Sequence, residues 1–240
     1  MTDDLFADPR LAVLYDVFDD DRSDLDPYVA ILTELGARTV LDLGCGTGTF
    51  ALRLGGLGLD VVGVDPALAS LDVARAKPGA GRVEWRHGDA TSLDGVDVEA
   101  ATMTGNAVQA VLGGAWPATL DGVHDALRPG GHFVFESRVP ARRAWEGWTP
   151  DRTRLRRQVA GSGWVECWAE LLEVAEPRVR FRHTYVFESD GTTLTSESTL
   201  EFRTLDQLTA PAEAAGFAVV DVRDAPDRPG LEHVLVCRRR

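Results

Sequence analysis

Cysteine is scarce in this chain of 240 residues: Cys45, Cys167 and Cys237 make up the whole set, and they lie far apart. An odd number at such spacings gives no disulfide framework, and no C-x-x-C pair is present for metal or redox work. A long uncharged apolar run is also missing, so the sequence offers no membrane-spanning helix. The opening "MTDDLFADPR" has neither the basic start nor the apolar stretch of a secretory signal. Together these absences lead us to expect a cytoplasmic protein with no membrane partner and no metal site.

Positive charge is the next deficit. The chain carries 25 Lys and Arg against 38 Asp and Glu, a formal net charge of −13 and a pI near 4.8. Nucleic-acid binders present a basic face that displaces phosphate counterions. Here the cations are scattered, apart from Arg152–Arg157, which reads as a solvated helix face, and Arg238–Arg240, which reads as a frayed end. Nucleic acid is therefore disfavoured as a partner. Nothing in the sequence reports the oligomeric state.

What the chain does have is a 44% hydrophobic content, enough for one substantial core with a modest appendage. In "DPRLAVLYDVF", Leu11, Leu14, Tyr15 and Phe18 fall at helical spacing. "DPYVAILTELG" reads as a helix with Asp26 as N-cap, Pro27 in the first turn and Gly36 as its stop. Strand and helix then alternate. Strands are expected at 39–43, 60–64, 82–87, 98–103 and 132–136, with helices at 49–57, 67–77 and 117–127 and a turn at "RPGG". Such alternation builds a mostly parallel sheet with helices on both faces, an α/β domain.

After Ser137 the pattern changes. Segments 164–174, 178–188 and 192–203 read as three strands separated by Pro177 and an "SDG" turn, spacings that favour antiparallel hairpins. A helix at 205–215 and strands at 218–223 and 232–237 close the chain. We read 1–240 as one domain, 1–36 as N-terminal helices over the ligand site, and 138–203 as a β-rich insertion.

The stretch "TVLDLGCGTGTFALRL" carries the chemistry. Gly44, Gly46 and Gly48 bare the backbone at alternate positions where a strand passes into a helix, whose free N–H groups favour a polar ligand. The dinucleotide pattern G-x-G-x-x-G would need a third glycine at 49, where Thr49 stands. Asp65, ending "VVGVD", lies at a suitable distance to accept two hydrogen bonds from a ribose diol.

"VLDLGCGTG", "VVGVD", "HGDA" and "LRPGGHFVFE" together resemble successive motifs of class I S-adenosylmethionine-dependent methyltransferases, over about residues 37–137. "AGFAVVDV" resembles the family's usual ending. The resemblance implies a Rossmann-like methyltransferase domain with a seven-stranded sheet, and S-adenosylmethionine as cofactor. By it, Asp42 and the backbone of Gly44, Cys45, Gly46 and Gly48 would surround the methionine portion and ribose. Asp65 would hold the ribose hydroxyls, with Pro66 and Ala67 flanking the adenine. Asp89 would accept from the adenine amino group, and the Ala90 backbone would read the ring edge. Thr104, Gly105 and Asn106 would border the reacting methyl, although Asn106 is equally suited to cap a short helix at 107–112. Cys45 reads as a small filler, because no neighbouring His or acid pattern marks it as an activated thiolate.

Methyl transfer from a sulfonium is an in-line displacement, so the chain has to align groups and exclude water more than supply a catalytic triad. Glu136, at the carboxyl edge where open α/β sheets place ligands, is a candidate to orient or deprotonate the acceptor, or else pairs with Arg138. Tyr15 is a second candidate, on a helix that in related methyltransferases folds over the cofactor. His183 and Tyr185 share a face of an insert strand. Trp145, Trp148, Trp164 and Trp168 would serve as acceptor walls or as glue between insertion and domain. The three-stranded insertion resembles that of sugar-amine N-methyltransferases. The expected activity is methyl transfer to N or O of a small molecule. The competing readings are a non-catalytic cofactor-binding regulator, a methyltransferase acting on protein, and a nicotinamide oxidoreductase.

Overall fold

The computed structural model describes residues 3–240, and its framework is a seven-stranded sheet. The strands are β1 (Thr39–Leu43), β2 (Asp60–Asp65), β3 (Val83–His87), β4 (Val98–Met103), β5 (Leu127–Arg138), β10 (Phe217–Asp224) and β11 (Glu232–Arg239). Between β5 and β10 the chain also forms β6 (Leu155–Val159), β7 (Gly163–Ala175), β8 (Arg178–Phe187) and β9 (Thr193–Glu201). The large sheet runs β10-β11-β5-β4-β1-β2-β3, parallel from β5 to β3, with β11 antiparallel to both β5 and β10.

Helices α1 (Asp4–Ala7), α2 (Pro9–Ala12), α3 (Tyr15–Phe18) and α4 (Asp26–Glu34) precede the sheet. Helices α5 (Thr49–Gly56), α6 (Leu68–Ala76) and α7 (Ala115–Ala126) connect its strands, α8 (Pro150–Thr153) is a single turn, and α9 (Leu205–Ala214) leads back into the sheet. Side chains alternate across each strand. Leu41, Phe133 and Phe135 therefore pack on α7 and α9, while Val40, Val61 and Val134 pack on α4 and α5. The expected α/β domain is what forms.

Local chemistry sets several boundaries. Helix α4 ends in a Schellman pattern: Gly36 takes φ +67° and the Ala37 N–H donates back to the Leu32 carbonyl at 3.1 Å. At the other end, Asp26 is the first helical residue and not the cap. The N-terminal periodicity is broken into three short helices, but Leu11 and Leu14 are buried as their spacing requires.

Three further expectations need correction. "RPGG" lies inside β5 as an irregularity, because pairing jumps from Val98↔Leu127 to Ala100↔His132, with Gly130 at φ +79° absorbing the extra residues. Arg152–Arg157 is not a helix face. After α8 the chain extends, and β6 pairs with β7, so Arg156 and Arg157 belong to an edge strand. The Arg238–Arg240 tail is not frayed either: Arg238 pairs with His132, and the Arg240 N–H donates to the Gly216 carbonyl.

The insertion forms its own antiparallel sheet, ordered β6-β7-β8-β9. Three of these strands match the expected ones and β6 is added. The chain returns through α9, whose start is closed by a capping box between Thr204 and Gln207.

Candidate active site

All three alternate glycines between β1 and α5 adopt left-handed backbone, with φ of +75° at Gly44, +53° at Gly46 and +77° at Gly48. Gly48 is constrained twice, since a Cβ there would come within 2.4 Å of the Trp85 ring. Asp42, near the end of β1, is buried: Oδ1 accepts from the Thr102 hydroxyl at 3.2 Å, and Oδ2 has no partner among the described residues. Burial pushes the Asp42 carboxyl up to about 7, against the pull of the Thr102 hydrogen bond and with help from the Asp65 charge.

Asp65 ends β2 and accepts from two backbone amides, Gly46 and Ala67, both at 2.8 Å. It thereby joins the glycine loop to the start of α6. Burial raises its carboxyl, and the two amides oppose the rise. The Cys45 thiol is pushed well above its ordinary range by burial and by the Asp42 and Asp65 charges, which keeps it a neutral filler.

The register Asp65↔His87 sets the ends of β2 and β3 side by side. Pro66 is exposed, its carbonyl 3.1 Å from His87 Nε2. Asp89 is exposed in the turn after β3, and its carboxylate accepts from the Thr91 hydroxyl at 2.6 Å and the Thr91 N–H at 2.8 Å, which hold its carboxyl below the usual range. Ala90 is buried against α7, so close that a Cβ on Gly122 would come within 1.9 Å of its carbonyl.

The second half of the edge is a polar cluster. Thr104, Gly105 and Asn106 follow β4, with left-handed φ at Gly105 (+67°) and Asn106 (+60°). Asn106 precedes the 3-10 turn Ala107–Ala110 but does not cap it with its side chain. Its N–H donates to Glu136 Oε1 at 2.8 Å, its Nδ2 donates to Glu232 Oε1 at 2.9 Å, and its Oδ1 is buried with no partner among the described residues.

Glu136 is 5% exposed, and burial, then the Glu232 charge, raise its carboxyl to about 7. Arg138 donates to Gln109 Oε1 at 2.8 Å and lies 3.7 Å from Glu232, which also pairs with Arg228 at 2.8 Å. Tyr15, at the start of α3, is half-buried beside Phe6. Burial and then Asp19 push its phenol up to about 12, so it is a donor and not a base near neutrality.

Buried polar atoms are ordinarily hydrogen-bonded. Asp42 Oδ2, Asn106 Oδ1, Gln109 Nε2 and Ser137 Oγ are buried without partners among the described residues, all near the carboxyl edge of β1, β4 and β5.

The insertion sheet turns Phe181, His183 and Tyr185 to one face, continued by Trp148 at 4.5 Å from Phe181 and by Phe18 at 6.1 Å from Tyr185. Burial lowers His183 to about 4, so the ring is neutral near pH 7, and its Nδ1 has no partner among the described residues. Tyr185 packs among Leu5, Leu11 and Leu14, in the seam between the N-terminal helices and the insertion. Of the four tryptophans, Trp145 is fully buried against Phe202 and only Trp148 joins the aromatic row. Trp164 and Trp168 alternate to the opposite face, each covered by an arginine, Arg156 at 4.0 Å and Arg154 at 4.4 Å.

A ribonucleoside with an amino-acid tail fits this set. Bare left-handed backbone lets such a ligand approach, Asp65 offers acceptor oxygens at a strand end, and Asp42 Oδ2 is an acceptor awaiting a donor. Glu232 and Gln109 were not foreseen from the sequence. Asn106 and Glu232 meet across 126 positions, and no local spacing announces such a pair. Among the described residues, no group of three or more His, Cys, Asp or Glu side chains could hold a metal ion, and no helix is long and apolar enough to cross a membrane.

Residues 40–131 match a family model described as a methyltransferase domain. Uncharacterized methyltransferases of Mycobacterium bovis and Mycobacterium tuberculosis are 58% identical over 45 residues, which is 19% of this chain and 18% of theirs. Across nearly the whole chain the fold is that of solved methyltransferases. DesVI of Streptomyces venezuelae superposes with a TM-score of 0.77 at 19% identity, covering 95% of this chain and 98% of its own. An S-adenosylmethionine-dependent methyltransferase of Clostridium acetobutylicum gives 0.75 at 15% identity, over 96% and 98%. A sugar N-methyltransferase of a Streptoalloteichus species gives 0.72 at 20% identity, over 94% and 92%.

Proposed function

We propose that this chain, a member of the class I S-adenosylmethionine-dependent methyltransferase family, is an enzyme that methylates nitrogen or oxygen of a small organic molecule. When bound, S-adenosylmethionine would supply an activated methyl group for the acceptor's lone pair. The chain's own residues bind, orient and take up the proton. The observation that carries the reading is the pairing, on one sheet edge, of the glycine loop and Asp65 with a buried carboxyl, Glu136, raised to about 7.

In this reading the glycine loop, Asp42 and Asp65 hold the cofactor, and Pro66, Asp89 and Ala90 lie beside its base. Thr104–Asn106 borders the methyl. Glu136, anchored through the Asn106 amide, receives the acceptor's proton, a role its raised carboxyl suits near neutral pH. Tyr15 donates a hydrogen bond to the acceptor. The insertion's aromatic row, Trp148 to Tyr185, covers an acceptor of modest size and excludes water. A net charge of −13 argues against nucleic acid, and the sugar N-methyltransferase among the fold neighbours favours an amine.

The test is transfer of labelled methyl from S-adenosylmethionine into a size-fractionated cell extract, with Asp65→Ala as control. Label in the small-molecule fraction, absent with the control, is the expected result. Label on protein would move the substrate to a macromolecule. Cofactor binding without any label would leave a non-catalytic regulator as the better reading.

A further inference from the structure

Of the 25 Lys and Arg residues, Lys77 is the single lysine. It follows α6, and its ammonium reaches back to the glycine loop. There it meets three acceptors: Asp16 Oδ2 at 2.6 Å, the Thr47 carbonyl at 2.7 Å and the Thr49 hydroxyl at 3.1 Å. An ammonium has three donors, and these three acceptors match that number.

Asp16 completes the network. It lies in α3, beside Tyr15, and its other oxygen accepts from the Thr47 hydroxyl at 2.7 Å and the Thr49 hydroxyl at 3.0 Å. Thr47 stands between Gly46 and Gly48, and Thr49 opens α5. Three chain segments therefore close on one ammonium: the N-terminal helices, the glycine loop and the end of α6.

The N-terminal segment is tied at its other end to the insertion. The Leu5 N–H donates to Ser196 Oγ at 2.8 Å, and Arg10 pairs with Asp190 at 2.7 Å while stacking over the Phe187 ring at 3.7 Å. Because the segment spans from the small sheet to the glycine loop, its loop-side attachment is the one that can govern access to the cofactor.

We propose that Lys77 is a positioning residue that clamps the N-terminal segment onto the glycine loop and thereby sets how long the cofactor stays bound. The proposal rests on the cofactor reading above. Loss of the charge-assisted hydrogen bonds should let the segment lift and the loop relax, so dissociation accelerates by roughly 10–100-fold, the range expected for hydrogen bonds to charged groups.

The single lysine makes the test direct. Amine acylation with an N-hydroxysuccinimide ester, read by peptide mass spectrometry, reports Lys77 with and without S-adenosylhomocysteine. Stopped-flow dissociation of S-adenosylhomocysteine is then compared among wild type, Lys77→Met and Asp16→Asn, with thermal melts as a check on folding. Protection of Lys77 on binding, with faster dissociation in both variants at a near-unchanged melting temperature, is the expected result. Should Lys77→Met fail to fold, Asp16→Asn removes the same ion pair from a half-exposed position. Wild-type dissociation rates in the folded variants overturn the clamp alone. A wild-type chain that does not bind S-adenosylhomocysteine overturns the cofactor reading and the clamp with it.

Discussion

The Glu136 carboxylate accepts the backbone amide of Asn106 at 2.8 Å, joining the carboxyl end of β5 to the loop that follows β4. One residue thus anchors a left-handed turn and, in the function proposed above, carries the carboxyl that takes up the acceptor's proton. The two duties are separable by substitution, because the hydrogen-bond acceptor survives in an isosteric amide while the titrating charge does not.

Glu136 sits near 7 in the folded chain, against an ordinary value of 4.5. Between those values the folded state holds a proton that the unfolded state has lost, so this group's contribution to stability is full below about 4.5 and fades as pH rises through 7. Glu136→Gln should therefore gain stability relative to wild type on going from pH 4.5 to 8, by on the order of 1–3 kcal/mol. Urea titrations at several pH values measure the gain. Methyl transfer should fall about 100-fold or more if the proton passes to this carboxyl. Activity that survives intact would reduce Glu136 to an anchor.

Asp65→Ala removes the partner of two amides, Gly46 and Ala67. S-adenosylhomocysteine binding should weaken by roughly 10–100-fold, and the unliganded chain should lose about 1–3 kcal/mol, because two backbone donors are left unpaired. Calorimetric titration and chemical denaturation separate the two effects. Unchanged affinity would mean that the ribose lies elsewhere.

The glycines differ in what they tolerate. At Gly46 a Cβ meets nothing within 4 Å, so Gly46→Ala bears only the left-handed strain, about 1 kcal/mol. At Gly48 the Cβ would meet Trp85 at 2.4 Å and Ala74 at 2.8 Å, so Gly48→Ala should cost more, about 2–4 kcal/mol. Equal destabilisation of the two variants in denaturant would contradict the close approach of Trp85.

Two tryptophans that look alike in the sequence should behave differently. Trp145 is 1% exposed and edge-on to Phe202 at 4.5 Å, so Trp145→Ala should cost about 3–5 kcal/mol. Trp164 is 41% exposed beneath Arg156, and Trp164→Ala should cost under about 1 kcal/mol. Thermal melts of the two variants decide this.

Much of the framework is local in origin and was legible. The apolar runs of β1, β2 and β4, the stop at Gly36 and the strand–helix alternation each depend on neighbours a few positions away, and they formed where expected. The misreadings came where pairing overrode local pattern. Arg156 and Arg157 look like a solvated helix face until β7 offers them an edge to pair with, and Arg238 looks like a loose end until β5 does the same.

The same division holds at the site. By itself the sequence determined the glycine loop, the acids at the ends of β1 and β2 and the position of Glu136 at a strand end, because each is set by short-range spacing around a strand-to-helix junction. Only the tertiary structure decided what those groups do to one another. It brought Glu232 and Asn106 together from 126 positions apart, turned Trp164 and Trp168 to the outer face, and closed Lys77 on Asp16 and Thr47. A buried carboxyl's proton affinity and a clamp's strength depend on desolvation and on partners supplied by distant segments, and neither exists until the chain has packed.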